Sequence, residues 1–193
     1  SWWLFFCRHG GIREGMPIPG VSPGDKWVDE FKEIAKRMKC FIHLGSVPQK
    51  DARGILNCSW LFSPTGELDT GYRKIHLFDV DVEGQKPIRE SDEFIPGEKP
   101  YLYNIFGWKF GASICYDLRF SELFLWYARE QVDAILVPAA FLKKTGEAHW
   151  EVLIRARAIE SQSFVIAAGQ GGKHLHENGS FRETFGHSML VDP

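Results

Sequence analysis

No stretch of this sequence is apolar for long enough to cross a bilayer as a helix. The longest apolar run, residues 134–142, includes Pro138 and falls well short of the roughly 20 residues a spanning helix needs, so no transmembrane helix is expected. Neither sign of charge dominates. The 23 Lys and Arg face 25 Asp and Glu, a formal net charge of −2, which provides no basic field for nucleic acid or an anionic membrane. Cysteine is sparse and scattered: Cys7, Cys40, Cys58 and Cys115 form no Cys-x-x-Cys pair and no short framework spacing. That reads as free thiols in a reducing compartment. Repeats, low-complexity tracts and linkers are absent as well.

Phosphate and metal motifs fail on inspection. The stretch 169–173 ends in Gly-Lys, but Ala167 stands where a phosphate-binding loop requires its first glycine. The pair His174-Leu175-His176 sits among Gly, Lys, Glu and Asn, which read as loop, with no third ligand at useful spacing. No metal and no cofactor is expected. The sequons at Asn57 and Asn178 are short enough to arise by chance and mean nothing without secretion. Arg155 and Arg157 offer charges for a substrate carboxylate, although helix-face arginines more often pair with acids such as Glu151 and Glu160.

What is present is material for one folded domain. The chain has 193 residues, 44% apolar and 14% aromatic, with 7 Trp and 15 Phe, ample for a core. Residues 25–39 place Trp27, Val28, Phe31, Ile34, Ala35 and Met38 on one helical face. Short apolar runs predict strands over 40–47, 55–62 and 68–75, the last two joined by a Ser-Pro-Thr-Gly turn. Residues 79–100 are polar and rich in Gly and Pro, a long loop of the kind that rims active sites. The second half predicts strands over 101–106 and 108–115, a helix over 121–131, a buried strand over 134–138, a loop over 141–148 and a helix over 149–162. Strands over 164–168 and near 187–191 close the series. This alternation is that of an α/β fold with layered packing.

Cys115 is the most informative position, in Gly111-Ala112-Ser113-Ile114-Cys115-Tyr116-Asp117-Leu118-Arg119-Phe120. An apolar strand runs into a segment read as helical, and the thiol stands at the junction. Position alone leaves two readings open. One is a packed strand-end cysteine, since Cys is among the most buried residue types. The other is a nucleophile whose thiolate is favoured by the N-H groups of the following helix. Lys74, at a strand end between Arg73 and Ile75, carries an ammonium able to lower a thiol pKa and steady an oxyanion.

Five segments together resemble the signature regions of the nitrilase superfamily of carbon-nitrogen hydrolases, in the same order and over nearly the whole chain. They are Tyr72-Arg73-Lys74-Ile75-His76-Leu77, Cys115-Tyr116-Asp117-Leu118-Arg119-Phe120, Thr145-Gly146-Glu147-Ala148-His149-Trp150-Glu151, Arg155-Ala156-Arg157-Ala158-Ile159-Glu160, and Gly186-His187-Ser188-Met189-Leu190-Val191-Asp192-Pro193. The wording is most similar to the branch of deaminated glutathione amidases, with the ω-amidases close behind. The resemblance implies an α-β-β-α four-layer sandwich spanning residues 1–193 as a partial domain, incomplete at both termini. It also implies a Glu-Lys-Cys triad in which Cys115 attacks an amide carbonyl and Lys74 stabilises the tetrahedral intermediates. Glu90, sixteen residues beyond Lys74, falls on a second glutamate that positions the lysine. Substrate contacts are expected at Tyr116, Phe141 and His149. The implied partners are a small-molecule amide and further copies of the chain, as a dimer or tetramer, with no nucleic acid and no membrane, in the cytoplasm or mitochondria.

The resemblance breaks at one point. The general base of the superfamily is a Glu in a Pro-Glu pair at the end of its second strand, and no such pair occurs in residues 1–24. Glu14 is the acid there, too near Pro17-Ile18-Pro19-Gly20 to align. The chain opens on Ser-Trp-Trp-Leu-Phe-Phe without Met and closes at Val191-Asp192-Pro193 directly after an apolar stretch, so both ends read as cut. Two expectations follow: an amidase whose base precedes Ser1, or an impaired form that serves as an interaction domain.

Overall fold

The computed structural model describes residues 4–6, 20–81, 87–175 and 181–193. In chain order these form β1 (Leu4–Phe6), α1 (Lys26–Met38), β2 (Ile42–Asp51), β3 (Gly54–Phe62), β4 (Leu68–Arg73), β5 (Asp79–Val80), β6 (Ile88–Arg89), β7 (Leu102–Ile105) and β8 (Trp108–Ala112). They continue with α2 (Ser121–Arg129), β9 (Ala134–Ala139), α3 (Lys143–Ser161), β10 (Phe164–Gly169), β11 (Gly171–Leu175), β12 (Phe181–Phe185) and β13 (Met189–Val191). Short 3-10 turns occupy Glu90–Asp92 and Cys115–Arg119.

Two sheets face each other, one ordered β1-β2-β3-β4 and the other β13-β10-β9-β8-β7. The period-two alternation of each strand sends residues to different layers. In β9, Ala134 and Leu136 turn toward the first sheet and join a cluster of Leu61 and Tyr72 from that sheet with Tyr103 and Phe110 from their own. Ile135, Val137 and Ala139 turn the other way, onto Phe124 and Tyr127 of α2 and Trp150, Ile154 and Ala158 of α3. The first sheet does the same: Leu56, Cys58, Trp60 and Phe62 of β3 pack under Val28 and Ala35 of α1, with Trp27 stacked on Trp60 at 5.6 Å. The result is the α-β-β-α sandwich. Each fully buried large apolar side chain in these layers contributes roughly 1.5–3 kcal/mol.

Three local expectations need correction. Residues 141–148 are not loop, because α3 begins at Lys143. Leu142 C=O accepts the bond from Gly146 N-H at 2.7 Å, which starts the helix. Gly146 lowers helix propensity but is required by packing, since a Cβ there would lie 2.3 Å from Phe185 Cβ. The segment around His174 is not loop either. Residues 171–175 pair with 181–185 as an antiparallel hairpin, and His174 Nε2 lies 2.7 Å from Thr184 Oγ1. Third, Cys115 does not open a long helix. It opens a 3-10 turn, and α2 starts only at Ser121. Among the described residues no helix is long and apolar enough to cross a membrane.

Candidate active site

The ends of β3, β4 and β8 converge on one cleft. Lys74 follows the last residue of β4, and its backbone is fixed on both sides: its N-H donates to Asn57 C=O at 2.8 Å, and its C=O accepts from Gly97 N-H at 2.7 Å. Only glycine fits at 97, since a Cβ there would lie 2.1 Å from Arg73 O. The Lys74 side chain is 3% exposed, and Nζ donates to Glu90 Oε2 at 2.5 Å. The Glu90 carboxylate takes two further bonds, from Asn57 Nδ2 at 2.7 Å and from the Phe78 N-H at 2.6 Å. Three donors fix its position.

Cys115 is half-buried and adopts φ 52°, a left-handed conformation that costs a non-glycine residue about 1–3 kcal/mol and concentrates at functional sites. Asp117 holds the turn in that shape. Fully buried, it accepts from Ile114 N-H at 2.8 Å and from Tyr72 OH at 2.7 Å through Oδ2. Its Oδ1 accepts from His76 N-H at 3.0 Å and lies 2.8 Å from His76 Nδ1. One carboxylate therefore ties the cysteine turn to the residues on both sides of Lys74. The His76 ring, stacked on Phe120 at 3.7 Å, closes the connection.

The cleft holds about 880 Å³ including its open mouth, and its walls include Asn57, Lys74, Glu90, Cys115, Tyr116 and Phe141, with Arg119 and Arg182. A cleft whose wall combines aromatic rings with a few charged groups suits a small organic substrate. Burial pushes the Cys115 thiol above its ordinary value. The Lys74 charge and a bond from Ala140 N-H oppose the rise, Glu90 adds to it and Arg182 opposes it. This corrects the expectation of a thiolate favoured by a helix N-terminus: the 3-10 turn is too short to carry that field, and desolvation wins. The neutral thiol needs a proton acceptor before it can attack.

Of the side chains named from sequence, Cys115, Lys74, Glu90, Tyr116 and Phe141 line this one cleft. His149 does not. It lies exposed on α3 and reaches the cleft only through Arg119, whose Nη1 is 3.2 Å from His149 Nδ1. Glu14 lies outside the described residues. Arg155 and Arg157 take structural partners, Glu151 for the first and Leu118 C=O with Glu160 for the second. Sequence reasoning missed Asn57, Asp117, Arg119 and Arg182. Asn57 is visible only as a sequon, yet its buried amide serves Glu90. Arg182 is hidden in a segment with no strand pattern of its own.

Comparison with known proteins gives a consistent family. The profile of the family described as Carbon-nitrogen hydrolase matches residues 2–193. A deaminated glutathione amidase of Yersinia enterocolitica is 44% identical over 84% of this chain and 57% of its own length. The deaminated glutathione amidase of Rattus norvegicus is 43% identical over 85% and 51%. The chain thus spans about half the length of the curated relatives it matches. Among solved structures, the C. elegans NitFhit protein superposes with a TM-score of 0.78 at 35% identity, over 89% of this chain and 42% of that one.

Proposed function

Because this chain belongs to the carbon-nitrogen hydrolase family, we propose that it is an amidase acting on small carboxylate-bearing amides through a thioester on Cys115. Deaminated glutathione is the substrate named for its relatives, and ω-amides are the neighbouring class. The observation that carries the reading is the shared cleft of Cys115 and the buried Lys74–Glu90 pair. Sγ bonds to the amide carbon as the thiol gives up its proton, which is delivered to the amide nitrogen before that nitrogen leaves. The carbonyl π pair moves onto oxygen, where the Lys74 ammonium stabilises it. The pair returns, the C-N bond breaks, and nitrogen leaves as ammonia after taking a proton. Water then adds to the thioester, and the C-S bond breaks to release the carboxylic acid and the thiol. Glu90, saturated by three donors, positions Lys74.

A second reading is favoured by one observation. Among the described residues Glu90 is the only carboxylate lining the cleft, and it is engaged, so an impaired domain retaining interaction surfaces fits as well. Assembly with further copies belongs to both readings; Val152 and Ile159, exposed seven residues apart on α3, support it. Ammonia release from deaminated-glutathione-type and ω-amide substrates, with Cys115→Ala as control, separates the two. Release that depends on Cys115 supports the amidase and removes the impaired domain. Release that survives the substitution, or none, overturns the amidase.

A further inference from the structure

The hairpin β11–β12 belongs to neither large sheet, yet it brings Arg182 into the cleft wall. Arg182 Nη2 donates to Ala140 C=O at 2.9 Å, and Ala140, Arg182 and Cys115 line the same cleft. The guanidinium is thus anchored on a backbone carbonyl in the cleft that holds the thiol. The Arg182 Nε is buried and has no hydrogen-bond partner among the described residues. No described carboxylate is within ion-pair reach of Arg182, whereas Lys74 has Glu90.

A guanidinium presents five donors in a planar fork, and leaving part of it desolvated and unpaired is costly. A planar carboxylate relieves that cost by accepting two parallel bonds. The charge of the cleft agrees, since Lys74, Arg119 and Arg182 face Glu90 alone. Arg119 already lies over the Tyr116 and Phe141 rings and beside His149, which leaves Arg182 as the cation with an unused buried donor.

We propose that Arg182 is the specificity-determining residue that binds a carboxylate of the substrate while its amide carbon faces Cys115. The assignment rests on the amidase reading above and gives it a chemical selectivity: amides bearing an acid group over neutral amides of the same length.

The test compares succinamate with butyramide, which carries a methyl group in place of the carboxylate. In Arg182→Gln the ratio of kcat/KM for succinamate over butyramide falls about 10- to 100-fold, with the loss mainly in the KM of succinamate, and Arg182→Lys restores part of it. A ratio is insensitive to partial unfolding. The second readout needs no turnover: alkylation of Cys115 by iodoacetate against iodoacetamide, followed on the Cys115 peptide by mass spectrometry. That ratio falls about tenfold in Arg182→Gln. Equal losses on both amides, or an unchanged alkylation ratio, overturn the assignment and leave Arg182 a structural role. If the parent chain releases ammonia from neither amide, the amidase reading fails and the alkylation ratio decides the anion subsite.

Discussion

Lys74 Nζ and Glu90 Oε2 stand 2.5 Å apart, with side chains 3% and 10% exposed. Taking two such charges out of water costs several kcal/mol each, and their mutual attraction offsets this only when the remaining hydrogen-bonding capacity is filled. Here it is filled on the acid, by Asn57 and Phe78. The ammonium is thereby fixed beside Cys115 and cannot swing to solvent.

Removing one partner alone leaves the other buried without a counter-charge. Glu90→Gln and Lys74→Met are each expected to lower unfolding free energy by about 3–5 kcal/mol. The double variant loses less than the sum of the two. Urea denaturation checks both statements.

The reactivity of Cys115 follows from the same charges. Burial raises its pKa, so its alkylation rate keeps rising with pH beyond the range where an ordinary thiol levels off. Lys74→Met moves that profile further up, because a stabilising cation is gone. Glu90→Gln moves it down. Since the folded pKa lies above the unfolded one, the neutral thiol's contribution to stability is complete below the ordinary thiol range. It is lost as pH climbs through the folded value. Iodoacetamide rates between neutral and alkaline pH measure the profile.

Asp117 joins Ile114, Tyr72 and His76. Asp117→Ala strands these donors in the interior, each at about 1–3 kcal/mol. Amide hydrogen exchange at Ile114 and His76 is expected to accelerate well beyond that of β10, while an unchanged exchange rate would show that Asp117 holds nothing.

His43, in β2, has its pKa lowered to about 3 by burial. It stays neutral in the fold and becomes charged in the unfolded chain below its ordinary value of 6.5. Its contribution is therefore present above pH 6.5 and lost as pH falls toward 3, at about 1.4 kcal/mol per pH unit within that window. The urea midpoint of the parent should drop across it, and a non-titrating His43→Leu variant should lose that share of the slope.

Gly146→Ala sets two effects against each other. Alanine gains about 1 kcal/mol of helix propensity, but its Cβ would lie 2.3 Å from Phe185 Cβ. Overpacking of this kind costs about 1–3 kcal/mol, so thermal unfolding should show a net loss.

The parts of the fold legible in the sequence are those where local pattern and tertiary demand agree. The apolar face of α1 and the buried run of β9 both do so, and Cys115, Lys74 and Glu90 come from motifs at recognisable spacing. The rest depends on contacts distant in sequence. Gly146 reads as a helix breaker until Phe185 is known to need the space. The β11–β12 hairpin carries no apolar alternation, since Phe185 packs on the core while Arg182 faces the cleft, and Arg182 gains meaning only once Ala140 and Cys115 are seen beside it. The elevated thiol pKa was equally hidden, since desolvation is set by the facing sheet and by α3.

The most direct measurement is the intact mass of the chain, acid-quenched during incubation with a carboxylate-bearing amide. The expected result is an added acyl group that maps to the Cys115 peptide, is absent from Cys115→Ala, and accompanies ammonia release. Ammonia release with no adduct on Cys115 and an undiminished rate in Cys115→Ala would contradict it.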